Sequence, residues 1–251
     1  MNIKSPKAAD MPGLRELWKE AFGDTDEFLD RFWHTAYSPE RCRCIQTEDK
    51  IVAALYWFDC ECRGKRVAYL YAVATAPEFR GQGFCKKLME QTHIQLKAAG
   101  YSGAVLVPGS QTLFSYYRRL GYQVCGTIKE WYCEASEQTI SLRRIDSAEY
   151  SRLRRQMLPE GAVLQEKESE AFLQTQAELY AAQGILLAAR CQEDTLFAVE
   201  YLGDENAAAG IVKTLNCTKG IFRGPGEGKD FAMYLPLDGA KPPEYFGLAF
   251  D

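Results

Sequence analysis

Residues 67–75, VAYLYAVAT, are a nearly unbroken apolar run, followed closely by Pro77, Gly81 and Gly83 and then by an amphipathic stretch starting at Phe84. A strand this apolar is covered on both faces, as happens in a sheet with helices packed against it. Pro77 cannot extend the ladder, so the chain leaves the sheet there. It then runs as a helix to about Ala99, stops at Gly100 and returns as the strand GAVLVP. A strand, a crossover helix and a second strand commit the chain to a mixed α/β sheet.

The flanking patterns extend that unit. Asp10 precedes a helix whose apolar positions Leu14, Leu17, Trp18, Ala21 and Phe22 fall three and four apart before Gly23. Asp24 and Glu27 have capping-box spacing ahead of Phe28, Leu29, Phe32, Trp33 and Ala36. Residues 41–47 and 51–62 read as a hairpin around EDK, and SQTLFSYYRRL as a short helix closing at Gly121 before further strand material. Near Ser136 the scheme restarts: ISLRRIDSAEYSRLRRQM repeats the short strand, aspartate and amphipathic helix of the N-terminus. A helix from Glu168 to Gln183, strands GILLAAR and TLFAVEYL, a helix from about Asp204 to Leu215 and further strands follow. The expectation is two domains, 1–136 and 137–251, the second a shorter, degenerate copy.

Composition narrows the function classes. With 47% hydrophobic and 25% charged residues and no apolar stretch of membrane-spanning length, the chain reads as a soluble globular protein with no membrane partner. A net charge of -4 argues against nucleic acid, which needs a basic stripe to displace counterions. Nine cysteines behind a start without a basic and apolar leader are expected as reduced thiols in the cytoplasm. Cys42, Cys44, Cys60 and Cys62 invite a zinc reading, but hairpin geometry separates the two pairs along the strands, and no metal is expected.

The loop Arg80-Gly81-Gln82-Gly83 opens a helix whose first amides lack internal partners and carry the positive end of its dipole. Glycines there let an anionic ligand approach the backbone, and a small residue at Cys85 leaves room for it. R-x-x-G-x-small after a buried strand resembles the acetyl-CoA-binding motif of the GNAT acyltransferase superfamily, and YYRRLGY, about thirty residues further on, resembles that family's second motif. The two cover residues 1 to about 135. Cys85, Ser110 and Leu113 depart from the commoner residues of those motifs.

The resemblance implies a tandem GNAT fold with acetyl-CoA as co-substrate. It places Val73, Ala74 and Thr75 along the pantetheine arm, and Arg80, Gly81, Gln82, Gly83, Phe84, Cys85 and Lys86 around the pyrophosphate. Tyr117 becomes the acid that protonates the departing CoA thiolate, while a small-molecule or peptide amine attacks the thioester directly in a ternary complex. Lys86 and Lys87 are either phosphate neighbours or helix-surface residues. Asp59, Glu61, Tyr69 and Tyr71 are candidate bases, as is the terminal carboxylate of Asp251, by likeness to two-domain acetyltransferases of the enhanced-intracellular-survival type. Asp24, Asp26, Glu27 and Asp30 either attract a cationic acceptor or polarise a helix start. In the second copy, Asp204 and Glu205 stand where pyrophosphate would bind, so that copy is expected to bind no CoA. A non-catalytic acyl-CoA sensor is the rival reading, and a homodimer is left open.

Overall fold

The computed structural model describes residues 2–48 and 50–250. Contacts divide the chain into two units, one running to Gln123 and rejoined by Tyr234–Pro242, the other formed by Val124–Met233 and the tail from Pro243.

In the first unit the patterns become β1 (Asn2–Lys4), α1 (Met11–Phe22), α2 (Asp26–Thr35), β2 (Cys42–Thr47), β3 (Lys50–Cys62), β4 (Lys65–Thr75), α3 (Phe84–Ala98), β5 (Gly103–Leu106) and α4 (Gln111–Arg119). β1 to β4 pair antiparallel in chain order, and β5 joins β4 in parallel through the α3 crossover. α1 and α2 cover one face with Leu14, Leu17, Trp18, Leu29 and Phe32, all buried. Trp18 meets Phe32 at 4.8 Å and Tyr56 at 5.1 Å, and Phe32 meets Tyr71 at 5.8 Å. α3 buries Leu88, Met89, Thr92 and Leu96. Each such apolar side chain contributes about 1.5–3 kcal/mol on leaving water, which holds the central strands in place.

Two caps differ from expectation. Thr25, not Asp24, caps α2, accepting from the Phe28 amide at 3.2 Å, because Asp24 is taken by the Trp18 indole N–H at 2.7 Å. Asp10 accepts from the Lys7 amide and from Lys4, closing the turn before α1 rather than capping α1 itself.

The second unit contains β6 (Gln123–Glu134), β7 (Arg143–Arg144), α5 (Ser147–Met157), β8 (Leu164–Gln165), α6 (Glu168–Leu173), β9 (Glu178–Ala182), β10 (Ile185–Gln192), β11 (Thr195–Leu202), α7 (Ala208–Thr214), β12 (Lys219–Pro225) and β13 (Lys229–Pro236), of which Gln123 and Tyr234–Pro236 go with the first unit. β11, α7 and β12 repeat the parallel crossover of β4, α3 and β5. Against an expected boundary after residue 136, β6 falls in this unit because it pairs with β12 along Ile128–Glu134. The helix expected over 168–183 ends at Leu173, since the alternating burial of Leu179 and Ala181 suits β9, which pairs with β10. Residues 226–228 form a loop from β12 to β13, between which β6 lies in the sheet.

A buried ion pair joins the elements of this unit. Arg154 meets Glu200 with Nε–Oε2 at 2.6 Å and Nη2–Oε1 at 2.9 Å; Tyr150 and Tyr245 donate to the same carboxylate. Tyr245, Phe246, Leu248 and Phe250 bury the tail, and Phe250 packs on Phe172 at 5.2 Å. Removing one partner of a buried pair strands the other charge. Glu200→Ala is therefore expected to lower stability by about 3–5 kcal/mol in urea unfolding. Glu166→Ala, which breaks the exposed pair with Arg155, should change it by less than about 1 kcal/mol.

Candidate functional site

The site starts from a slip of one residue. Ala54 faces Ala74 and Tyr56 faces Tyr71, so Leu55 opposes both Ala72 and Val73, and Ala72 takes φ 48°. Such a bulge bends its strand and breaks the ladder locally. β4 pairs with β5 only from Val67 to Tyr69. Over Ala72–Thr75 the β5-facing edge of β4 has no ladder partner among the described residues. Val73, Ala74 and Thr75 therefore line an open strand edge.

The chain then turns through Pro77–Phe79 into the glycine loop. Arg80 Nε donates to the Thr75 carbonyl at 3.0 Å and Gln82 Nε2 to that of Glu78 at 2.8 Å, fastening the loop to the end of β4. Gly81 and Gly83 adopt φ 76° and 81°, and a Cβ on either would meet open space. The backbone conformation, not crowding, calls for glycine there. Gly83 is the N-cap of α3 without a side-chain cap, and the helix ladder begins with the Lys87 amide on the Gly83 carbonyl. Phe84 turns inward against Phe79 at 5.5 Å.

Cys85, Thr75 and Tyr116 converge beneath this turn. Burial raises the Cys85 thiol above its usual range, with the Tyr116 and Thr75 hydroxyls acting the other way. Helix-terminal activation of that thiol is thus overridden. Thr75 Oγ1 and Tyr116 Oη are buried and make no well-formed hydrogen bond. Leaving a buried hydroxyl unpaired costs about 1–3 kcal/mol, so both fit a polar ligand entering here. Tyr117 is 6% exposed, its ring 5.3 Å from Tyr116 and 5.7 Å from Tyr122. Burial, with Cys85 adding to it, lifts the Tyr117 phenol well above its ordinary value, so the group stays protonated. No described side chain hydrogen-bonds its hydroxyl. Behind it, Tyr122 Oη and His93 Nε2 are 2.8 Å apart.

Other sequence candidates fall elsewhere. Asp59 binds Tyr101 and pairs with Arg66 at 3.5 Å, while Arg66 also donates to the Ala99 carbonyl. Asp59 therefore sits at the C-terminal end of α3, about 20 Å along that helix from the glycine loop. It is displaced from the open edge. Tyr71 lies half-buried among Trp18, Phe32 and Phe58. Lys86 is exposed and pairs with Glu90 at 3.8 Å, a helix-surface contact. Asp26 and Asp30 are engaged by Arg15 from α1. The terminal carboxylate of Asp251 lies outside the described residues. Cys42 pairs with Tyr56 and Cys60 with Val67, which keeps the two cysteine pairs apart, and no cluster of three metal-ligating side chains occurs among the described residues. In the second unit Asp204 accepts from the Asn206 amide at 3.0 Å and Glu205 pairs with Lys129 at 2.6 Å, so acidic side chains already fill the equivalent helix entry. Sequence reasoning missed Tyr116 and the Ala72 bulge. The pair YY carries a hint of the first, whereas nothing in YAVAT marks the second.

Residues 2–125 match the family model described as an acetyltransferase (GNAT) domain. Among solved structures, a GCN5-related N-acetyltransferase from Anabaena variabilis superposes with TM-score 0.72 at 17% identity, covering 94% of this chain and 72% of that one. Eis1 from Mycobacterium abscessus gives 0.69 at 12% identity over 95% and 74%. A putative acetyltransferase from Pyrococcus horikoshii gives 0.66 at 14% over 97% and 91%. No curated protein matches the sequence. The likeness to these structures establishes the fold across most of the chain. The family match assigns an acetyltransferase (GNAT) domain to residues 2–125, the N-terminal half of the chain.

Two outcomes follow from the geometry. Burial lowers His93 from 6.5 to about 4. The unfolded chain therefore binds the extra proton between those values. Stability from this group is complete above pH 6.5 and lost as pH falls through about 4, roughly 3 kcal/mol in all. Urea midpoints at pH 7 and pH 4.5 should differ, and His93→Gln should narrow the difference. Separately, Gly83→Ala is expected to cost about 1 kcal/mol in the same assay through its positive φ, without a steric clash.

Proposed function

We propose that the first unit transfers the acetyl group of acetyl-CoA to a primary amine by direct attack within a ternary complex. The observation that carries this reading is the succession of the open β4 edge at Val73–Thr75 and the uncapped start of α3 at Gly83, with Tyr117 beside Tyr116 on α4. The peptide groups of Val73, Ala74 and Thr75 match the amide-bearing arm of CoA. The amides of residues 81–86, with the dipole of a fifteen-residue helix behind them, suit its pyrophosphate. The hydroxyls of Thr75 and Tyr116, which have only the weak Cys85 thiol beside them and no well-formed hydrogen bond, are the polar groups such a ligand would satisfy.

Acetyl-CoA supplies an activated acyl thioester when bound. The chain's part is to hold that thioester beside the amine, which replaces a bimolecular encounter with a positioned one. As the amine nitrogen bonds to the carbonyl carbon and the carbon–sulfur bond breaks, the Tyr117 hydroxyl gives its proton to sulfur. Tyr117 carries its proton at neutral pH as any phenol does; burial raises it further, so the transfer to sulfur is driven by the charge that builds there as the carbon–sulfur bond breaks. Asp59 is held away by Arg66 and Tyr101, which leaves a water relay, Tyr71 or the terminal carboxylate of Asp251 to take the proton the amine sheds.

Tyr117→Phe keeps the ring and removes the proton. With a reactive amine drawn from a panel, its kcat is expected to fall by roughly 100-fold or more while CoA affinity by calorimetry stays within a few-fold. Unchanged turnover would exclude Tyr117 as the acid. CoA binding by the wild type with no turnover across the panel would favour an acyl-CoA sensor.

A further inference from the structure

In the second unit two thiols meet. Cys191 lies near the end of β10 and Cys217 in the connection from α7 to β12, and their Sγ atoms are 3.3 Å apart. Cys191 is exposed, whereas Cys217 is 5% exposed within the cluster formed by Leu187, Leu196, Ile211, Val212 and Phe222. Both backbones are held. Cys191 pairs with Leu196 in the β10–β11 ladder. The Cys217 amide donates to the Val212 carbonyl at 3.0 Å, and Thr218 donates from its amide to the Asp194 carbonyl at 2.8 Å and from its hydroxyl to the Asp194 carboxylate at 3.0 Å. A disulfide has sulfurs about 2.05 Å apart, so side-chain adjustment alone has to close the remaining gap.

We propose that Cys191 and Cys217 form a reversible thiol–disulfide site that reacts with hydroperoxides. This site is independent of the acetyl-transfer reading. Cys191 is reached from solvent and acts first: its sulfur bonds to one peroxide oxygen, the O–O bond breaks, and the other oxygen takes the Cys191 thiol proton and leaves as an alcohol or water. Cys217 then attacks the Cys191 sulfenic acid. The S–S bond forms, the S–O bond breaks, and the departing hydroxide takes the Cys217 proton as water. Two thiols and one hydroperoxide become one disulfide, one alcohol or water from the peroxide, and one further water.

The order of the two cysteines follows from their surroundings. Burial, with the Cys191 sulfur adding to it, pushes the Cys217 thiol up to about 12, so Cys217 is a poor first target for a peroxide. Its contact with Cys191 makes it the resolving thiol. The new bond would tie the β10–β11 hairpin to the end of α7, closing the loop 191–217 and restricting the unfolded chain.

The test uses the full chain and hydrogen peroxide. After treatment, free thiols are alkylated and the protein is digested without reductant for mass spectrometry. The expected product joins the peptides containing Cys191 and Cys217, is lighter by two hydrogens than the reduced pair, and disappears with dithiothreitol. The melting temperature should rise by roughly 5 °C on oxidation and fall back on reduction. In Cys217→Ala, Cys191 should accumulate as the sulfenic acid and be trapped by dimedone; in Cys191→Ser, Cys217 should stay reduced. Finding Cys191 over-oxidised to sulfinic acid in the wild type while Cys217 stays reduced would overturn the proposal. So would disulfides spread among the remaining cysteines.

Discussion

The first unit depends on where β4 stops belonging to the sheet. An unbulged strand would keep one register against β3 and one line of peptide groups. The extra residue at Ala72 shifts that line and turns the strand's last residues away from the β5 ladder. A non-glycine residue at φ 48° costs about 1–2 kcal/mol. The flanking packing outweighs that cost, with Tyr71 anchored in the aromatic cluster on one side and Ala74 buried against β3 on the other. The strain is retained at the place where the strand edge opens.

Comparison of the two crossovers separates scaffold from chemistry. β4–α3–β5 and β11–α7–β12 share parallel topology. The first enters its helix through Gly81 and Gly83, with no side-chain cap on the leading amides among the described residues. The second enters through Asp204 and Glu205, whose carboxylates take an amide and a lysine of their own unit. One architecture thus leaves the leading amides without a side-chain cap in one copy and closes a self-satisfied turn in the other. Helix polarity is common to both; what differs is whether a side chain competes for the helix start.

Much of this was legible in the residues. The crossover and the glycine loop follow from local rules about apolar runs, proline and helix starts, which act over a few residues; Tyr117 is marked only by the resemblance of YYRRLGY to the GNAT second motif. What escaped depends on contacts distant in the chain. The bulge requires knowing how β3 and β4 align, and both align equally well by composition. Asp59 is a candidate base by residue type, whereas Arg66 and Tyr101, which follow it in the chain, hold it at the far end of α3. The helix expected over 168–183 was cut short because β10 recruited Glu178–Ala182 as a strand partner. Nothing in the stretch SRLRRQM marks Arg154, and only the tertiary fold shows it buried against Glu200.

The central claim is that the edge at Val73–Thr75 and the amides at residues 81–86 form one continuous cradle for a thioester carrier. Backbone amide NMR during titration with CoA tests it most directly. The account requires the largest shifts to fall together on those two segments and on Tyr116 and Tyr117, with the loop at Asp204–Asn206 unmoved. Shifts confined to other surfaces, or equal shifts at the second helix entry, would contradict it.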